Sequence, residues 1–192
     1  MSISYTYDEN NFPELFIPGS SLESLLLEFE ESGAPGEHSD DNPGGINEGG
    51  FFTNGVGSGL AGDTYAMANN EGAFAFSATG DLSYNFADHA LTGTLESLTL
   101  GSHLLNGEVV NDFITFTFDD PIVASHNGRG NEVHDIIWGL MNGSVEGADD
   151  SAGTGTNGGL LAVLDDAGLL GDAIPASVTG VSTSEFDFAL AA

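Results

Sequence analysis

Tyr84 and His89 flank a short turn in the stretch GDLSYNFADHALTGTLESLTLG, residues 80–101. Leu82, Tyr84 and Phe86 alternate with Ser83 and Asn85, which is the period of a β-strand. Two readings of the pair compete. In the first, Tyr84 shares a core face with Leu82 and Phe86, and His89 satisfies its hydroxyl. In the second, Tyr84 is a metal ligand. A phenolate binds ferric iron well, but a free phenol ionises only near about pH 10. A neutral imidazole accepting the phenol's hydrogen bond would favour the ligating state.

The other candidates are more dispersed. His38 lies in GAPGEHSDDNPGGINEGG, residues 33–50, a segment whose Gly, Pro, Asp and Asn content predicts a long exposed loop. Such loops carry ligands when a rigid scaffold presents them; otherwise a loop histidine is simply solvated. His134, Trp138 and Met141 form an i, i+4, i+7 stripe beside the core face of a predicted helix. That stripe reads as core edge, or as contact surface for a flat apolar ligand. Arg129 is the one Lys or Arg in the chain. It precedes a helix N-terminus, where the dipole disfavours a cation. Glu132 or Asp135 could pair with it, as could an anionic ligand.

The elements that must position these residues follow from periodicity. Residues 3–7 read as a strand. In residues 20–32, Leu22, Leu25, Leu26 and Phe29 fall at helical spacing, with Ser20 or Ser21 as cap and Gly33 as stop. TYAMAN, AFAFSA, LSYNF and LTGTLESLTL then read as successive strands. In the last, the apolar phase slips between Leu91/Leu95 and Leu98/Leu100, as at a bulge. DFITFTF, residues 112–118, is a further strand. Val133, Ile136, Ile137, Leu140 and Met141 define a helix over 131–143, capped by Asn131 and ended by Gly143. Residues 160–170 form a last helix. Strands with short turns, and helices towards the ends, predict an α+β fold: one antiparallel sheet with helices on one face.

Composition limits the function. The chain has 192 residues, 40% of them apolar, enough for one domain with a core. Its 30 acidic residues give a net charge of −29, which excludes nucleic acid and anionic membranes as partners. Without cysteine there is no disulfide, thiolate metal site or thiol nucleophile. Lysine is absent, excluding Schiff-base chemistry. No nucleophile elbow, HExxH or phosphate-binding loop is present, so the chain is not expected to be an enzyme. The start, MSISYTYDENNF, lacks the basic and apolar regions of a secretory leader. The end, STSEFDFALAA, passes from acidic to small apolar residues and by itself reads as a frayed tail.

Two segments carry a family resemblance. GDLSYNF…HALTGTLESLTLG resembles the central hairpin of the secreted bacterial haemophores of the haem acquisition system (HasA type), and GRGNEVHDIIWGLMNGS resembles that family's helix after the sheet. SISYTY and DFALAA fall in matching order. The resemblance implies a curved antiparallel sheet on a layer of helices, with ferric haem b held between two loops at one end. It implies Tyr84 as iron ligand, His38 as the second ligand, and His89 as support for the tyrosine. It places Phe86, Arg129, His134, Trp138 and Met141 around the haem, with Trp138 where a tyrosine is usual. The turn from Tyr84 to His89 is shorter than is common in the family. The resemblance further implies a secreted, extracellular monomer that takes haem from host haem proteins and delivers it to an outer-membrane receptor. Residues 1–180 would be the haemophore domain. Residues 181–192 would be a disordered, uncleaved signal for an ABC-type exporter. The alternative reading is a secreted acidic surface or adhesion domain without a cofactor.

Overall fold

The computed structural model describes residues 2–36, 45–150, 152–175 and 181–183. His38 lies outside the described residues, as does most of the segment expected to be an export signal.

Strict alternation in β1, Ile3–Tyr7, turns Ile3, Tyr5 and Tyr7 into the core. Three long strands follow further along the chain: β5, Phe74–Asn85, β6, Ala90–Leu105, and β7, Glu108–Val123. They form an antiparallel meander. β4, Ala61–Asn69, flanks β5, and β2, Gly50–Thr53, and β3, Val56–Gly57, extend that side. β8, Val181–Thr183, pairs with β1 at the other edge. The eight strands make one sheet in the order β3-β2-β4-β5-β6-β7-β1-β8. The expected α+β architecture on a single antiparallel sheet is the observed one.

The differences from expectation lie in the strand boundaries. AFAFSA and LSYNF are one strand, not two. At Gly80 the pairing with β6 shifts between Thr79 and Leu82, and the chain continues extended through this irregularity. A Cβ at Gly80 would lie 2.1 Å from the Thr94 carbonyl oxygen, so only glycine permits the close approach. The phase slip expected in β6 is a register shift against β7 between Leu95 and Ser97. Periodicity did not reveal β2 and β3, because strands of four and two residues are too short to carry it. The strand at 181–183 draws the first residues of the expected export segment into the sheet.

Three helices share the sheet's core. α1, Leu22–Glu30, buries Leu22, Leu25, Leu26 and Phe29, and the Phe29 ring stacks on Phe74 at 4.0 Å. A helix of this length is marginal alone, so packing and the Ser21 cap, which accepts from the Ser24 amide, sustain it. α2, Glu132–Met141, is capped by Asn131 and followed by Gly143 at φ +79°. α3, Gly159–Asp166, starts where the buried Asp135 carboxylate accepts from the amides of Asn157 and Gly159. No described helix is long and apolar enough to cross a membrane.

Candidate functional site

The β5–β6 hairpin closes on the pair Asn85 and Ala90, which leaves residues 86–89 as its turn. Asn85 shapes this turn. Its Oδ1 accepts from the Ala87 amide at 3.0 Å, and its Nδ2 donates to Asp88 Oδ2 at 2.8 Å and to the Asn127 carbonyl at 3.3 Å. This is the side-chain mimicry that suits Asn to turns. His89 ends the turn in the left-handed region, at φ +51°. The ring is thereby brought to Tyr84: Nδ1 lies 2.8 Å from the phenol oxygen. An imidazole carrying its proton on Nε2 accepts the phenol's hydrogen bond there.

Tyr84 is half-buried, and its amide donates to the Leu60 carbonyl at 2.8 Å. Phe86 meets it edge-on at 5.5 Å between ring centroids. Phe86 is 65% exposed and Leu60 52%. An ionisable oxygen thus belongs to a ring that packs against an exposed apolar one.

Arg129 reaches this turn from the loop before α2. Its Nε donates to the Asp88 carbonyl at 3.0 Å, and Nη1 lies 3.4 Å from Asp150 Oδ1. The ion pair is therefore with Asp150, not with Glu132 or Asp135. Those two carboxylates are engaged elsewhere: Glu132 accepts from the Ser125 amide, and Asp135 holds the start of α3. Burial raises the Asp150 carboxyl, but hydrogen bonds from Thr154 and Ala152 and the charge of Arg129 outweigh it and hold the group at about 2.

The α2 stripe lies behind the hairpin. His134 is 4% exposed, accepts from the Leu91 amide on Nδ1 at 3.2 Å, and stacks on Trp138 at 5.8 Å. Burial is the main cause that pushes the His134 imidazole down; Asp150 and Asp135 act against it, and the charge of Arg129 adds to it. Trp138 is partly exposed and donates to the Asp149 carbonyl at 3.4 Å. Met141 is buried at the far end of the helix, and its carbonyl accepts from the Gly36 amide at 2.8 Å. That bond ties the base of the His38 loop to α2.

The structure therefore brings Tyr84, Phe86 and His89 together, with Arg129 bracing their turn. It sets His134 and Met141 within the core and Trp138 at its edge. Sequence reasoning did not find Leu60, Asn85 or Asp150. Asn85 was signalled by its place at the head of a turn; Leu60 and Asp150 had no local signal. Among the described residues, no three His, Asp or Glu side chains cluster as metal ligands.

A family model described as Heme-binding protein A (HasA) matches residues 1–192. The chain belongs to this family. Its fold is similar to that of the holo haemophore HasA from Yersinia pestis, with TM-score 0.62, 19% identity and coverage of 90% of this chain and 93% of that one. A tetragonal apo form of the Yersinia pestis protein matches with TM-score 0.60 and 21% identity, covering 90% and 91%. A HasA mutant monomer from Yersinia pseudotuberculosis matches with TM-score 0.62 and 18% identity, covering 90% and 93%. No curated protein matches in sequence. At these identities the structural likenesses carry the fold, and the family model carries the membership.

Proposed function

We propose that this HasA-family chain is an extracellular haemophore that captures ferric haem b through Tyr84. The observation that carries the assignment of Tyr84 is the 2.8 Å contact between its hydroxyl and His89 Nδ1 at an exposed hairpin end. The residues there fit the group: a phenol with a base beside it, and the exposed apolar ring of Phe86 against it. Haem bound here would supply a ferric iron, a Lewis acid suited to a phenolate oxygen. Tyr84 provides that oxygen, and His89 accepts its hydrogen bond or its proton. Phe86 covers one edge of the ring and limits its contact with water. Arg129 keeps the turn, and hence His89, in place.

His38 is the proposed second ligand. Trp138 and Met141 are proposed as contact residues on the α2 side. Haem captured from host proteins would be handed to an outer-membrane receptor. Export would use an ABC-type exporter that reads residues 181–192. The protein is proposed to act as a monomer.

A hemin titration tests the reading. The parent should show a shifted Soret band that saturates at one equivalent. His38→Ala should keep binding with an altered spectrum. Light scatter without saturation in the parent would instead favour a surface or adhesion domain without a cofactor.

A further inference from the structure

We infer that His134 and Asn131 are positioning residues that hold the Tyr84 rung of the hairpin through Leu91, an inference that deepens the haem-binding reading of that site. Leu91 is the register partner of Tyr84. On its outer side it would need another strand, but β7 does not reach it. The last β6–β7 pair is Thr94 with Val123, and the Ala124 amide still reaches the Gly93 carbonyl. The first turn of α2 takes over from there. The Leu91 amide donates to His134 Nδ1 at 3.2 Å, and its carbonyl accepts from Asn131 Nδ2 at 2.9 Å. One residue pair thus imitates both halves of a strand partner. Asn131 also caps the helix, its Oδ1 accepting from the His134 amide at 2.8 Å, so the two holding groups are fixed to each other. On the opposite side of the rung, the Tyr84 amide is held by the Leu60 carbonyl at 2.8 Å.

The choice of histidine supports this role. Accepting on Nδ1 puts the ring proton on Nε2, and that atom is buried without a partner among the described residues. An orphaned buried donor is costly. A leucine would fill the space without that cost, whereas Leu91 would then lose its acceptor. The imidazole therefore serves the Leu91 amide, and through it the placement of Tyr84, rather than packing alone.

Two substitutions separate these roles. His134→Asn keeps an acceptor near the place of Nδ1 and loses the ring; His134→Leu keeps bulk and loses the acceptor. In the full chain without hemin, amide exchange at Leu91, followed by NMR, should quicken about tenfold in His134→Leu and stay near the parent rate in His134→Asn. Hemin affinity should fall by roughly the same factor in His134→Leu, with an altered charge-transfer band, and be largely retained in His134→Asn. A protected Leu91 amide in His134→Leu, or equal damage from both variants, would overturn the proposal. If His134→Leu does not fold, Asn131→Asp serves instead: it keeps the cap and loses the donor to the Leu91 and Gly128 carbonyls. Its helix should stay intact while the hemin spectrum changes; a spectrum like the parent's would overturn the proposal. Exchange at Leu91 is read without hemin, so it stands or falls separately from haem binding.

Discussion

A histidine stands near each end of β6, one just before it and one within it, and both adopt the same rare backbone. His89 sits at φ +51° where the strand begins, and His103 at φ +58° near its close. Both side chains are exposed. Left-handed backbone is unfavourable for a residue with a Cβ by about 1 kcal/mol, so each position carries a similar local cost. What differs is the facing residue. His89 meets the hydroxyl of Tyr84 and the ring of Phe86. His103 meets Gly72, where an added Cβ would lie 2.5 Å from its Nδ1, and among the described residues no tyrosine hydroxyl reaches it. The backbone device is thus generic, and the residue across the hairpin gives it chemistry. The tyrosines make the same point. Burial pushes the Tyr65 phenol far above its ordinary range, with Tyr84 adding to the effect, so Tyr65 stays a neutral core residue. Tyr84, on the adjacent strand, is only half-buried and has a base beside it.

The largest effect should come from removing the oxygen alone. Tyr84→Phe keeps the ring against Phe86 and should reduce hemin affinity by at least about a hundredfold, because the lost charged ligand outweighs an ordinary hydrogen bond. Retained affinity in a hemin titration would remove Tyr84 from the site. The two histidines come next. His89→Ala should weaken hemin binding by about tenfold, the scale of one hydrogen bond to a charged group. His103→Ala should leave it unchanged. Equal losses from the two would mean that the shared backbone device, rather than the Tyr84 contact, determines binding.

The elements with their own period were legible in the sequence: α1, α2, the face of β1 and the bulge in β6. Tyr84 and His89 were legible as a pair because a short turn makes them neighbours in both sequence and space. The rest depends on distance along the chain. Asp150 meets Arg129 across 21 positions, while the nearer Glu132 and Asp135 are engaged with the Ser125 amide and the start of α3. Leu60 reaches Tyr84 because β4 runs beside β5, a pairing that no local pattern specifies. β5 reads as two strands in the sequence because a glycine at a close backbone approach looks there like a glycine at a turn.

The smallest effect concerns the brace. Arg129→Gln removes the ion pair with Asp150 and weakens the hold on the Asp88 carbonyl, while the Asn85 bonds remain. Because the turn keeps those bonds, hemin affinity should fall only about threefold, the scale of a partly exposed ion pair. The pH profile of the loss is the sharper test. The Asp150 carboxyl is held at about 2 in the folded chain, below its ordinary 3.8. Its contribution is therefore complete above the unfolded value and lost only as pH falls through the folded one. His134 also has a depressed folded value, but from a reference of 6.5. A neutral buried imidazole stabilises the fold above that reference, and the contribution declines as pH falls below it. Between about pH 4 and 7 the brace should thus stay constant while the α2 anchor weakens. Arg129 is also one of the causes that depress the His134 imidazole, so Arg129→Gln should ease that depression, and haem dissociation measured across that range should depend less steeply on pH in the variant than in the parent. Profiles that stay parallel throughout would mean that the Arg129 charge does not act on His134, and that its whole effect runs through Asp150 and the hold on His89 against Tyr84.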